Sequence, residues 1–217
     1  MKRAIWLALA ALLVLCGCSE LEEAELPENP TCEIVMETGD VIRLELFYEY
    51  APNTVANFVN LAQRGFYDGL TFHRVIAGYW IQGGDPLGDN TGGPGYSIKG
   101  EFIENGFMQN RIAFTRGVIA MARKESGYDT AGSQFIIMHS DYPELYGKYA
   151  AFGRVMDEES LATIDKIATT QVDSGDKPLT EWRIRSVTVD DKGYEYQAEV
   201  IMPESEEKEN EEAEQEE

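Results

Sequence analysis

Phe72-His73-Arg74-Val75-Ile76-Ala77-Gly78-Tyr79-Trp80-Ile81-Gln82-Gly83-Gly84-Asp85 is the most informative stretch of the chain. Two short strand-forming runs, Thr71 to Val75 and Tyr79 to Gln82, sit on either side of a turn containing Gly78, so one arginine, several aromatics and a glutamine fall on adjacent strands. The same texture extends outward in both directions. A Thr38-Gly39-Asp40 turn closes a hairpin between Glu33 to Glu37 and the alternating Ile42, Leu44 and Leu46. Further strands are expected at Val118 to Ala122, Gln134 to Met138, Ala151 to Val155 and Trp182 to Val189. In the last of these the parity changes between Trp182/Ile184 and Val187/Val189, which predicts a bulge. Helices are expected from Pro52, with Val55, Phe58, Val59 and Ala62 on one face and Gly65 as the stop, and over Glu159 to Thr169. The expected fold is therefore mainly β: a closed eight-stranded antiparallel barrel capped by two α-helices, closure being one way to leave no exposed edge.

Composition narrows the function. The chain has 217 residues, 43% hydrophobic and 11% aromatic, enough for one core. Its 39 acidic and 18 basic residues give a formal net charge of -21, which argues against nucleic acid as a partner because phosphates are met by clustered Lys and Arg. Two histidines and three cysteines provide no set with zinc-site spacing, so no transition-metal site is expected, while the carboxylates leave calcium open. There is no Gly-Xaa-Ser-Xaa-Gly nucleophile elbow and no Gly-Lys-Ser/Thr phosphate loop.

The ends read differently from the middle. Lys2 and Arg3 precede an unbroken apolar run, Ala4 to Leu15, too short to cross roughly 30 Å of hydrocarbon and better read as a removable signal. Leu15-Cys16-Gly17-Cys18 follows and resembles the lipobox of bacterial lipoproteins, which implies residues 1–17 as signal peptide and Cys18 as the lipidated new N-terminus. Two or more acyl chains there give stable attachment, so the expected location is the extracytoplasmic face of a cell membrane. Residues 18–28 then form an acidic tether, residues 29–203 the folded domain and residues 204–217 an acidic tail with nine Glu and one Lys. Both acidic runs are expected to be disordered. Cys32 would be left without a partner and is expected to be a small buried apolar residue.

The opening stretch resembles the cyclophilin family of peptidyl-prolyl isomerases. The resemblance continues through Thr91 to Tyr96, Gly117 to Arg123, Ala131 to Ile137 and Tyr146 to Val155, in the family's order. It implies an eight-stranded barrel with two helices and a cleft on its outer face that binds an Xaa-Pro segment of another protein. Position by position, Arg74 matches the catalytic arginine and Gln82 the glutamine that helps hold the substrate backbone and that arginine. Tyr79, Trp80, Ile136 and Leu145 match the proline pocket. Ala122 and Arg123 match a strand-edge pair whose second member binds through its backbone, with Gln134 on the neighbouring rim, and His73, beside the arginine, matches a position that is usually structural or cleft-side. Tyr149 stands where many members have a cleft histidine, Glu144 where many have a cyclosporin-contacting tryptophan, and Ile136 where phenylalanine is usual. Weak cyclosporin binding is therefore expected.

The implied activity is cis-trans isomerisation of Xaa-Pro bonds in proline-containing clients, without a cofactor and by a monomer. The competing reading is a cyclophilin-like module that binds proline segments with little catalysis. The presence of both Arg74 and Gln82 speaks for the enzyme. A bias of Glu144 toward basic clients is a further expectation, and His139 has no assigned role.

Overall fold

The computed structural model describes residues 28–203, so the expected signal peptide, Cys18, most of the acidic tether and the acidic tail lie outside the described residues. Strand β1 (Thr31–Met36) and β2 (Val41–Leu46) form the predicted hairpin, with Cys32, Ile34, Met36, Ile42, Leu44 and Leu46 all turned into the core. Gly39, at φ 91°, makes the turn that lets the Met36 N–H reach the Asp40 carbonyl at 2.8 Å. Cys32 is 1% exposed, and burial pushes its thiol up, away from the reactive thiolate.

Helix α1 (Pro52–Gln63) starts on Pro52 and buries Val55, Phe58, Val59 and Ala62, the face that the spacing predicts. Its N-terminus is completed from a distance. Ala51 has no capping side chain, and Glu101 instead accepts the Asn53 and Thr54 N–H groups at 3.0 and 2.7 Å and the Thr54 hydroxyl at 2.6 Å. Phe58 then meets Tyr67, Phe135 and Phe152 with ring centroids 5.0, 5.8 and 5.3 Å away, an aromatic centre for the core. Helix α2 (Glu158–Ala168) begins one residue earlier than expected because Asp157 caps it, accepting the Ser160 N–H at 2.7 Å.

The remaining strands are β3 (Arg74–Ile76), β4 (Trp80–Gly83), β5 (Val118–Met121), β6 (Phe135–Met138), β7 (Ala151–Val155) and β8 (Ile184–Asp190). All pairings are antiparallel, in the order β3-β4-β6-β5-β7-β2-β1-β8. The bulge is where the parity change places it: Val35 pairs with Ser186 and Met36 with Ile184, leaving Arg185 extra.

Closure is the expectation that fails. The sheet is open, with β3 and β8 as its edges and no strand pairing between them. The segments leading into them are joined around an isolated bridge between Thr71 and Arg183, where the Phe72 N–H meets the Trp182 carbonyl at 2.9 Å and the Ile184 N–H the Leu70 carbonyl at 2.8 Å. Beyond it the Val75 N–H goes to the Asp176 carbonyl at 2.8 Å, a loop atom, so a loop takes the place a strand would need.

The seam leaves a cavity of about 210 Å³ lined by Phe72, His73, Asp85 and Pro178, among others. His73 is 3% exposed, neither ring nitrogen has a hydrogen-bond partner among the described residues, and Asp85 lies 4.0 Å away. Burial holds the imidazole below its usual 6.5, more than offsetting the Asp85 charge. The unfolded chain therefore binds this proton more readily than the folded one. Stability is expected to fall as pH drops from about 6.5 toward the folded value, by at most about 1.4 kcal/mol per pH unit for one proton. Urea unfolding between pH 5 and 7.5 should show a flatter pH slope in His73→Gln than in wild type.

Candidate active site

The site grows from strands that are apolar on both faces. Every residue of β5 and β6 is buried. Ile119, Met121, Phe135 and Ile137 belong to the inner core, and their alternating neighbours Val118, Ala120, Ile136 and Met138 form a second apolar cluster with Phe114 and Ala151 on the outer face. Trp80, Ala122, Leu145 and Tyr149 pack around this second cluster and give it walls.

Polar groups come from the β3–β4 arm. Arg74 and Gln82 are directly paired across the two strands. Successive strand residues point to opposite faces, so Arg74 faces out while Val75 and His73 face in. The Arg74 Nη2 lies 3.3 Å from Asp176 Oδ2, and with both side chains more than a third exposed the pair is worth little to stability and leaves the guanidinium available. Gln82 donates from Nε2 to Gln134 Oε1 at 2.8 Å, and Gln134 donates from Nε2 to the Gly92 carbonyl at 2.9 Å. The expected hydrogen bond from Gln82 to the arginine is absent here; Gln82 is tied to Gln134 instead.

Two local features set that chain of amides. Gly84 has φ 83°, and a Cβ on it would lie 2.3 Å from the Ser133 carbonyl, so only glycine lets β4 end against the segment carrying Gln134. Asp85, 2% exposed, accepts the Leu87 and Asp89 N–H groups at 2.8 and 3.1 Å and folds the glycine-rich loop so that Gly92 meets Gln134.

The result is a cleft of about 780 Å³. Of the eleven residues expected at a catalytic or client-binding position, Arg74, Gln82, Trp80, Ala122, Arg123, Gln134, Ile136, Leu145 and Tyr149 line it. His73 and Tyr79 do not. His73 points to the seam cavity, and Tyr79 lies in the turn before β4, 42% exposed, its ring 4.8 Å from Tyr142. Arg123 is held inward by three aromatic rings, with its guanidinium 4.7 Å from the Tyr149 centroid, 5.2 Å from Tyr128 and 5.5 Å from Phe102. It also donates to the Lys148 carbonyl at 3.0 Å, so it stiffens the cleft wall and Tyr149 serves as its platform. Glu144 is exposed and does not line the cleft.

Sequence reasoning missed Asp176, the Gly92 carbonyl, the loop-folding role of Asp85, and Ile201, Met202 and Pro203, which also line the cleft. Only the last group left a local signal, the apolar Val200-Ile201-Met202 between acidic runs. His139 lies elsewhere, 3.2 Å from Asp165, whose carboxyl the paired Arg116 guanidinium holds below its usual range. Among the described residues no three His, Cys, Asp or Glu side chains gather as metal ligands. The cleft therefore offers a fixed cation, a chain of amides and an apolar pocket, a set suited to turning a polar bond rather than to breaking one.

Comparison with known proteins agrees. Residues 32–189 match the family model described as cyclophilin type peptidyl-prolyl cis-trans isomerase/CLD. A peptidyl-prolyl cis-trans isomerase of Helicobacter pylori is 47% identical over 148 residues, covering 68% of this chain and 86% of that protein. The peptidyl-prolyl cis-trans isomerase B of Bacillus subtilis is 50% identical over 121 residues, covering 56% of this chain and 80% of its own length. A Cryptosporidium parvum cyclophilin type peptidyl-prolyl cis-trans isomerase, crystallised in the presence of the dipeptide Ala-Pro, superposes with a TM-score of 0.63 at 31% identity, covering 74% of this chain and 98% of that one. With the fold, the outer-face cleft and a match over most of its length in hand, the chain belongs to the cyclophilin-type peptidyl-prolyl cis-trans isomerase family, enzymes that interconvert the two isomers of Xaa-Pro bonds.

Proposed function

We propose that this isomerase works at the extracytoplasmic face of a cell membrane, anchored through lipid on Cys18, as a monomer that speeds folding of exported proteins by turning their Xaa-Pro bonds. The observation that carries the catalytic part is Arg74, half-exposed at the edge of an outer-face apolar pocket and paired across strands with Gln82. The bond to be turned has a barrier of about 18 to 20 kcal/mol, and prolyl bonds are the ones whose two isomers are both populated. Twisting localises a lone pair on the prolyl nitrogen, and a donor that meets it there stabilises the twisted state over both planar ones. Arg74 is permanently charged and has several N–H groups, so one meets the nitrogen while others hold a client carbonyl.

The remaining roles follow from position. Ile136, Leu145, Trp80 and Tyr149 take the pyrrolidine ring, Gln82 and Gln134 present amides to the client backbone, and the strand edge at Ala122 and Arg123 receives it. Held on both sides, the ring stays still while the preceding carbonyl rotates. With Glu144 outside the cleft, no side chain at that position offers cyclosporin an aromatic contact, which supports weak binding. The cellular part rests on Lys2, Arg3, the apolar run and the Leu15-Cys16-Gly17-Cys18 motif. Uncatalysed prolyl isomerisation takes about 10 to 100 s, slow enough to delay folding after export.

Arg74→Ala is expected to lower kcat/KM for an Xaa-Pro peptide about 10² to 10³-fold, by analogy with losing one preorganised donor. Exchange spectroscopy by NMR measures it, and undiminished exchange in a folded variant removes Arg74 from its role. Expression of the full chain in bacteria should give a membrane-associated product that carries acyl chains by mass spectrometry, and Cys18→Ala should abolish them. Unmodified, soluble wild type would contradict the anchor.

A further inference from the structure

The family match ends at residue 189, but the chain does not leave the domain there. Tyr194 and Tyr196 pack edge-on against Tyr48, with ring centroids 5.7 and 5.3 Å away, and Tyr196 is buried. Asn53, in the first turn of α1, then holds the backbone of Glu199 twice: Nδ2 donates to its carbonyl at 2.9 Å, and Oδ1 accepts its N–H at 2.7 Å. Two residues later Ile201 and Ser97 exchange both backbone hydrogen bonds, at 2.7 and 3.0 Å, in an antiparallel bridge. The segment is a strap pinned at three places. It carries Ile201, Met202 and Pro203 from the α1 side of the domain into the wall of the cleft.

What the strap brings there is apolar and uncovered. Ile201 is 44% exposed, and Leu87, which lines the same cleft, is 68% exposed. An open aliphatic side chain on a pinned segment that lines a cleft is placed to meet a side chain of whatever that cleft binds. The strap bounds the cleft rather than filling it, because a volume of about 780 Å³ remains even though Met202-Pro203 is itself an Xaa-Pro pair. A client advances about 3.3 Å per extended residue, so one bound at Arg74 carries its flanking side chains along the cleft.

We infer that the strap is a specificity-determining wall: Ile201 and Met202 form an apolar subsite that takes a large aliphatic side chain flanking the Xaa-Pro bond of the client polypeptide. This rests on the assignment of the Arg74 cleft as the client site. It makes the enzyme select proline segments set among apolar residues, the kind a polypeptide exposes before its core has formed.

The test uses the full-length chain and proline peptides carrying Leu or Ala in turn at the two positions on each side of the Xaa-Pro pair. Wild type is expected to prefer Leu at one of these positions by about tenfold in kcat/KM, through KM, as expected of binding shared by ground and transition states. An Ile201→Ser and Met202→Ser double variant should treat Leu and Ala peptides alike. A Leu preference that survives in the double variant overturns the inference. So does a uniform rise in rate on every peptide, which would make the strap a competitor of the client. Independently of how that variant folds, the wild-type chain bound to the preferred peptide should give NOEs between the Ile201 or Met202 methyls and the peptide Leu methyls; their absence at saturation also overturns it. Arg74→Ala separates the two levels: if it abolishes acceleration on all peptides, the cleft assignment stands whatever the strap result, and if it does not, that assignment fails first.

Discussion

The structure depends on one constraint: β5 and β6 must be apolar on both faces at once. A sheet strand at the rim of a core needs only one buried face, and then alternates as β1 does. Val118–Met121 and Phe135–Met138 do not alternate, because their second face is buried as well, in a cluster with Phe114 and Ala151, and of these eight residues only Ile136 lines the cleft. The outer cluster of Ile136, Ala120 and Met138 is thus a small second core, reached from the cleft at Ile136. Trp80, Leu145 and Tyr149, partly buried, pack against it and line the cleft beside Ile136. The apolar side chains that stabilise the strands by leaving water on the inside are continued on the outside by a second set that is buried in the same way.

Placing a cation beside such a pocket is the second requirement, and strand parity meets it. Arg74 and Gln82 share the outer face because they are cross-strand partners, and His73 is sent to the seam by the same alternation. The rest is scaffolding that limits motion. Gln134 links Gln82 to Gly92, Asp85 fixes the loop that presents Gly92, and three aromatic rings clamp Arg123. Under the proposed mechanism, preorganisation of this kind serves the client backbone, whose amide partners need not reorient when the prolyl bond twists.

Much of this was legible in the residues and some of it was not, for a physical reason. Side-chain period revealed the β1–β2 hairpin, the buried face of α1 and the bulge at Arg185, since each is a relation between neighbours a few residues apart. Nine of the eleven residues that the family motifs point to line one cleft, while His73 lies on the other strand face and Tyr79 in a turn. What stayed hidden is long-range. Glu101 caps a helix that begins far upstream of it, Asp176 meets Arg74 from a loop beyond α2, and the seam stays open because that same loop intrudes. None of these leaves a local pattern, because chain entropy and packing, not neighbouring residues, decide which distant loop arrives.

The most direct measurement is amide and methyl chemical-shift mapping of the isomerase as an Ala-Pro-containing peptide is titrated into it, with exchange between the peptide's isomers recorded in the same sample. A client site built on the outer face of β4 to β6 predicts enhanced exchange with the largest shifts at Arg74, Gln82, Ala122, Ile136 and Leu145, and little change at the inner-core residues Ile119 and Ile137. Enhanced exchange with the shifts centred on the His73 seam cavity instead, and the outer face silent, would contradict the account.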